Sequence, residues 1–216
     1  MLRRIVLALL LSFCAAVAQT TPAAPPANAG HLIILFGPPL SGKTTFADSI
    51  SKSYGLPVIS IEDLIRSNAA ELDKLRMEGV SLAEMRYDPA MSRYIRERFK
   101  TTDVSRGVVV DGYPATLVQA EDLAKMLPDL KLNPIAVRLQ LPDDVIRARA
   151  KETGRESDNP RIIEQRIKDY HREMDSIAVY FPNAKIISVD ANQPEAKTWK
   201  ALQKDLAGAG VKPAAQ

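Results

Sequence analysis

The chain has 216 residues, 46% hydrophobic and 25% charged, the proportions of a soluble globular protein with one ordinary domain and a substantial core. Net charge is +3, from 29 basic and 26 acidic residues; without Arg3 and Arg4 of the N-terminal stretch the balance is 27 against 26. The isoelectric point of 8.9 therefore does not point to a nucleic-acid partner, and no long basic run does so either.

The opening stretch MLRRIVLALLLSFCAAVAQ has the parts of an export signal. Arg3 and Arg4 form a short positive region, Ile5 to Leu11 is an unbroken apolar run, and Ala16 to Ala18 offers small residues for cleavage before Gln19. The run is short for a bilayer span, and an uncleaved leader that tethers the chain is the alternative. Phe13 is bulky where a lipoprotein signal carries a small residue ahead of its cysteine. Cys14 is the only cysteine, so a cleaved chain has none and forms no disulfide. Residues 1–18 are thus expected to be a signal peptide. The mature protein is expected to be periplasmic or secreted, meeting a membrane only during export. QTTPAAPPANAG, residues 19–30, is rich in Pro and Ala with no apolar period and predicts a flexible spacer. The folded domain is expected over 31–208, with a loose tail over 209–216.

From there, apolar runs alternate with helical patterns. HLIILF predicts a first strand that runs into a Gly-Pro-Pro loop, followed by a helix over 43–53 that stops near Gly55. LPVIS predicts a second strand with a helix from about Ile61. Residues 81–100 have a helical pattern with a break near Pro89, where Asp88 is a candidate cap. GVVVDGYP, PIAVRLQL and AKIISVD predict strands three to five. Further helices are expected at about 116–127, 142–153, 160–180 and 194–206. Strands alternating with helices imply βαβ units, an α/β fold, and a parallel sheet covered on both faces. Ligands in such sheets bind at the carboxyl ends of the strands.

The chemistry sits at those ends. GPPLSGKT, Gly37 to Thr44, fits the phosphate-loop pattern G-x-x-x-x-G-K-[ST] in full, between a strand and a helix. The backbone of such a loop wraps phosphate oxygens at a helix N-terminus. Lys43 is expected to reach the β- and γ-phosphates of ATP, and the Thr44 hydroxyl to sit at Mg²⁺. Asp111, at the end of the third strand, is the matching carboxylate, holding Mg²⁺ partly through water. Arg66 follows the second strand, and Arg149, Arg155 and Arg166 cluster around the polar break KETGRESDN. Guanidinium groups suit phosphate oxygens, and phosphoryl transfer is catalysed mainly by such electrostatic clamping.

Together these segments resemble the adenylate kinase family of nucleoside monophosphate kinases, from about Leu32 to about Leu206. GPPLSGKTT, Gly37, Pro38, Pro39, Leu40, Ser41, Gly42, Lys43, Thr44 and Thr45, resembles the family's GxPGxGKGT loop. VISIEDLIR resembles ISTGDLLR, which makes Arg66 the counterpart of an arginine on the monophosphate. DGYPATLVQA resembles DGFPRTxxQA, which sets Gln119 at the glutamine that reads the adenine of AMP. RAKETGRESDNPRIIEQRIKDY resembles RxxxxxGRxDDN…RL, with Arg149, Arg155 and Arg166 at its arginines. The short break near 150–159 is similar to the short-lid form, which lacks a zinc-binding insertion. The resemblance implies a three-layer P-loop kinase fold with five parallel strands in the order 2-3-1-4-5. It further implies Mg²⁺ and ATP as cofactors, nucleotides as partners, and a monomer. Lys43 and the three lid arginines are then the catalytic group.

Several positions depart from that pattern. Leu40 and Thr44 replace loop glycines, Ile61 and Glu62 replace the Thr-Gly of the monophosphate site, and Ser157 replaces the first Asp of the lid pair, leaving Asp158. Ala115 stands where the family has an arginine on the acceptor phosphate, and a contact of that kind contributes about 2–4 kcal/mol to the transition state. The expectation is an ATP:AMP phosphotransferase, weakened by Ala115 unless Arg86 or Arg93 fills the gap. An exported nucleotide-binding protein with little transfer and a P-loop kinase of another small molecule are the alternatives.

Overall fold

The computed structural model describes residues 30–68, 85–87, 90–155, 158–177 and 180–214. Five strands form one sheet: β1 (His31–Phe36), β2 (Val58–Ser60), β3 (Gly107–Asp111), β4 (Asn133–Gln140) and β5 (Lys185–Asp190). Every pairing is parallel and the order is β2-β3-β1-β4-β5, as the resemblance implies.

The central strand shows why. HLIILF is apolar at every position after His31, which suits a strand buried on both faces. Successive side chains point to opposite faces. Leu32, Ile34 and Phe36 enter one core with Ile95, Phe99 and Leu123. Ile33 and Leu35 enter the other with Phe46, Ile50, Leu202 and Leu206. The helices that cover these faces are α1 (Lys43–Tyr54), α2 (Ile61–Ser67), α3 (Met91–Thr101), α4 (Leu117–Leu130), α5 (Asp143–Thr153), α6 (Pro160–Ile177) and α7 (Glu195–Gly208). None of the described helices is long and apolar enough to cross a membrane.

Boundaries differ locally from the sequence reading. The fourth helix continues through Pro128 to Leu130 and closes on Lys131, whose N–H donates to Leu127 O at 3.1 Å. Asp88 and Pro89 lie outside the described residues, and α3 starts after Ala90. The tail expected to be loose is tied down as far as Ala214. Val211 is buried in the second core, its N–H donates to Leu206 O at 3.0 Å, and the Ala214 N–H donates to Ser53 O at 3.2 Å. Val211, the one large apolar residue of that tail, and these backbone bonds dock it on the end of α7. Residues 1–29, including the expected signal and most of the spacer, lie outside the described residues.

Strand register brings the chemistry together. Leu35 pairs with Asp111 and Val110 with Ile59, so the loop after β1, the end of β3 and the start of α2 meet at one edge. Gly112 makes that approach possible. It has φ +75°, and a Cβ there would stand 2.6 Å from Ile61 Cγ2. Gly112→Ala is expected to lower unfolding stability by about 2–4 kcal/mol, from left-handed strain plus overpacking. Urea midpoints measured at unchanged m-value check this; equal midpoints refute it.

Candidate active site

The loop after β1 closes on itself. At Gly37 no side chain fits, because a Cβ would lie 2.6 Å from Ser41 Oγ and 3.0 Å from Leu139 Cβ. Leu40, where the sequence resemblance expects glycine, adopts the left-handed conformation that glycine favours, with φ 61°. That conformation costs a non-glycine residue about 1–2 kcal/mol. Packing of Leu40 against the second core works against this cost, as does a hydrogen bond from Arg149 Nη1 to Leu40 O at 2.9 Å. Pro38 and Pro39 supply no N–H, so phosphate donors must come from Leu40 onward, where α1 begins and its first amides have no intrahelical partner. Ser41 is buried, and its Oγ has no hydrogen-bond partner among the described residues. Thr45 is exposed, one turn into the helix.

Lys43 opens α1 and turns back into the loop. Its Nζ donates to Gly37 O and to Pro38 O, each at 2.8 Å. Removal from water draws its pKa down to about 8; the Asp111 carboxylate pulls the other way, and the Arg86 and Arg166 guanidiniums push it down further. Beside it, Thr44 Oγ1 donates to Asp111 Oδ2 at 2.7 Å. Burial raises the Asp111 pKa, while the Thr44 bond and the Lys43 charge oppose the rise.

The hydroxyl of Thr44 and the carboxylate of Asp111 form a pair of hard oxygen donors. No group of three His, Cys, Asp or Glu residues that could cage a metal occurs among the described residues. Two hard oxygens suit Mg²⁺, a cation that needs few protein ligands because it keeps several waters.

A solvent-open cleft lies next to this pair, lined by their chain neighbours Lys43 and Gly112. Lys43, Arg86, Arg166, Ala115, Tyr87 and Tyr170 are among its lining residues. Arg166, on α6, donates to Asp158 Oδ1 at 3.4 Å, and Asp158 Oδ2 accepts from Thr153 Oγ1 at 2.8 Å. Burial and then the neighbouring Arg86 lower the Arg166 pKa. Arg149 stands behind the loop, held by Leu40 O and, through Nη2, by Ala191 O at 2.9 Å.

Arg66, Arg155 and Gln119, singled out from the sequence, do not line this cleft. Arg66 is exposed and paired with Asp63 on its own helix. Arg155 is exposed on a separate pocket between α5 and α6, six residues of chain (154–159) joining the two helices. Ser157 lies outside the described residues. Gln119 is fully buried: Oε1 accepts from Ala115 N and Nε2 donates to Arg86 O, each at 2.8 Å. The acidic and aromatic lining from α6 escaped the sequence reading. Arg166, Asp169, Tyr170 and Glu173 recur at helical spacing i, i+3, i+4, i+7, a polar stripe that was available as a signal.

A family model described as adenylate kinase matches residues 35–186. The chain is 32% identical over 164 residues to an adenylate kinase of Corynebacterium urealyticum, covering 74% of this chain and 90% of that protein. It is 29% identical over 184 residues to one of Trichodesmium erythraeum, covering 81% and 96%. A third, from Corynebacterium glutamicum, is 32% identical over 181 residues, covering 80% and 99%.

The depressed Lys43 pKa makes stability depend on pH. The folded value of about 8 lies below the ordinary 10.5, so between them the unfolded chain binds the extra proton. Stability from this group is then lowest below pH 8 and rises as pH climbs to 10.5. Relative to Lys43→Met, the wild type should gain about 1–3 kcal/mol across that window. Denaturant titrations of both proteins from pH 7 to 10.5 check it; a constant difference refutes the buried-ammonium assignment.

Proposed function

The chain belongs to the adenylate kinase family and is a phosphotransferase, and from that premise we propose that it moves the γ-phosphoryl of Mg·ATP to a nucleoside monophosphate, AMP foremost. The observation that carries this is the Thr44–Asp111 hydrogen bond beside Lys43, which lines a cleft together with Arg86 and Arg166. In the transfer, an acceptor phosphate oxygen bonds to the γ-phosphorus while the bond to the β-bridging oxygen breaks; both products are then diphosphates. Lys43 leaves the Gly37 and Pro38 carbonyls for the β- and γ-phosphate oxygens. Arg166, inside the cleft, offsets charge on the migrating group, and Arg149 fixes the loop from behind. Arg155 joins them when the short lid closes over ATP. Thr44 and Asp111 would hold Mg²⁺, which would supply positive charge to the donor phosphates. Arg66 serves the monophosphate once it releases Asp63. Gln119 reads an adenine edge by giving up its bond to Ala115 N or to Arg86 O, so base selection is coupled to that backbone bridge.

A second reading, an exported protein that binds nucleotide but transfers slowly, is favoured by one observation: Ala115 lines the cleft without charge. Export itself is supported by Arg3, Arg4, the apolar run and the small residues before Gln19.

Steady-state ADP formation from ATP and AMP decides between transfer and binding alone. Turnover above about 1 per second is expected, with a loss of about 100- to 1,000-fold in Lys43→Ala. Absence of ADP with ATP still bound would favour the second reading. For export, N-terminal sequencing of the native protein should begin at Gln19. A chain that keeps Met1–Ala18 in the cytosol would contradict it.

A further inference from the structure

Ala115 and Glu62, taken from the sequence as two separate losses, meet at one residue, Arg86. A single carboxamide fixes Arg86 next to the missing charge: Gln119 Nε2 donates to Arg86 O while Gln119 Oε1 accepts from Ala115 N. The Arg86 side chain is 17% exposed and lines the cleft with Ala115, Lys43 and Arg166. It is close enough to depress the pKa of both Lys43 and Arg166. Nη2 donates to Glu62 Oε1 at 2.8 Å, and Nε is buried with no hydrogen-bond partner among the described residues. Arg93, the other arginine considered for this gap, stacks instead over Tyr94, its Cζ 5.0 Å from the ring centroid.

Three cations thus converge on one cleft, and a buried guanidinium N–H in it is unfilled. A buried donor without a partner is costly, and a guanidinium fork matches the oxygens of a phosphate. Glu62 supplies one carboxylate oxygen to that fork from a half-exposed side chain at the start of α2. We propose that Arg86 holds the acceptor phosphate where Ala115 brings no charge, and that Glu62 occupies Arg86 until the acceptor displaces it. This rests on the kinase reading above for the identity of the acceptor as a nucleoside monophosphate. Binding is an exchange of anions on one guanidinium: the carboxylate leaves to solvent as the phosphate arrives, and Arg86 keeps an anionic partner throughout. The arrangement also selects against neutral acceptors, which cannot replace Glu62 without leaving Arg86 unpaired.

The test is calorimetric titration of AMP, GMP, CMP and UMP, and separately of Mg·ATP, into the full chain and its variants. Arg86→Ala should weaken the preferred monophosphate about 10- to 100-fold, with Mg·ATP affinity unchanged. Glu62→Gln should tighten the monophosphate, because its competitor is gone. Ala115→Arg on the Arg86→Ala background should recover acceptor binding, which a merely structural role for Arg86 would not allow. Equal acceptor affinity in wild type and Arg86→Ala overturns the proposal. So does a parallel loss of ATP affinity, or a wild type that binds none of the four monophosphates. An unchanged or weaker acceptor in Glu62→Gln removes the exchange. If the wild type binds a monophosphate through Arg86 yet forms no ADP, the kinase reading fails and this one stands.

Discussion

The hydrogen bond from Thr44 to Asp111 joins the first turn of α1 to the last residue of β3, 67 positions apart in sequence. It fixes the phosphate loop against the sheet and holds a buried carboxylate within reach of the half-buried Lys43 ammonium. Neither charge is tolerable alone in that setting. Lys43 is further stabilised by two carbonyls of its own loop, so the loop is folded around its cation before any anion arrives. A phosphate has only to exchange with those carbonyls. The orientation of the loop has already been settled by folding, which is the meaning of preorganisation here.

Much of this was legible in the sequence because it is local. The apolar run Leu32 to Phe36, the spacing from Gly37 to Lys43 and Thr44, and Asp111 at the end of a valine-rich strand each state their own role. The strand order came from the resemblance to a family and not from periodicity. Other features depend on contacts between distant segments. Nothing in the residues around Arg86 shows that Gln119, 33 positions later, bridges it to Ala115. Nor does the ISIEDLIR segment show that Arg66 pairs with Asp63 while the neighbouring Glu62 points toward Arg86. The tail was expected to be loose because its one large apolar residue, Val211, has no periodic neighbours, yet that side chain is buried in the second core.

The replaced loop glycine illustrates the same division. From sequence, Leu40 is a departure; in the fold it keeps the glycine-like backbone and adds a side chain to the core beneath the loop. The loop therefore keeps its shape at the expense of local strain, as functional loops do. Arg149 reinforces it by binding Leu40 O and Ala191 O together, so α5, the loop and the end of β5 share one guanidinium.

The docked tail has a consequence for how the molecule is oriented. Ala214 is fastened to Ser53, at the end of α1, and Gly30 enters β1 at its amino end, where its carbonyl accepts from Asn133 N. Both ends of the described chain thus lie at the pole opposite the cleft, across the length of a six-residue strand, about 20 Å. A tether ahead of Gly30 would therefore join the sheet at the amino ends of its strands. A molecule held there to a surface would present its cleft outward, open to dissolved nucleotides and clear of its own support.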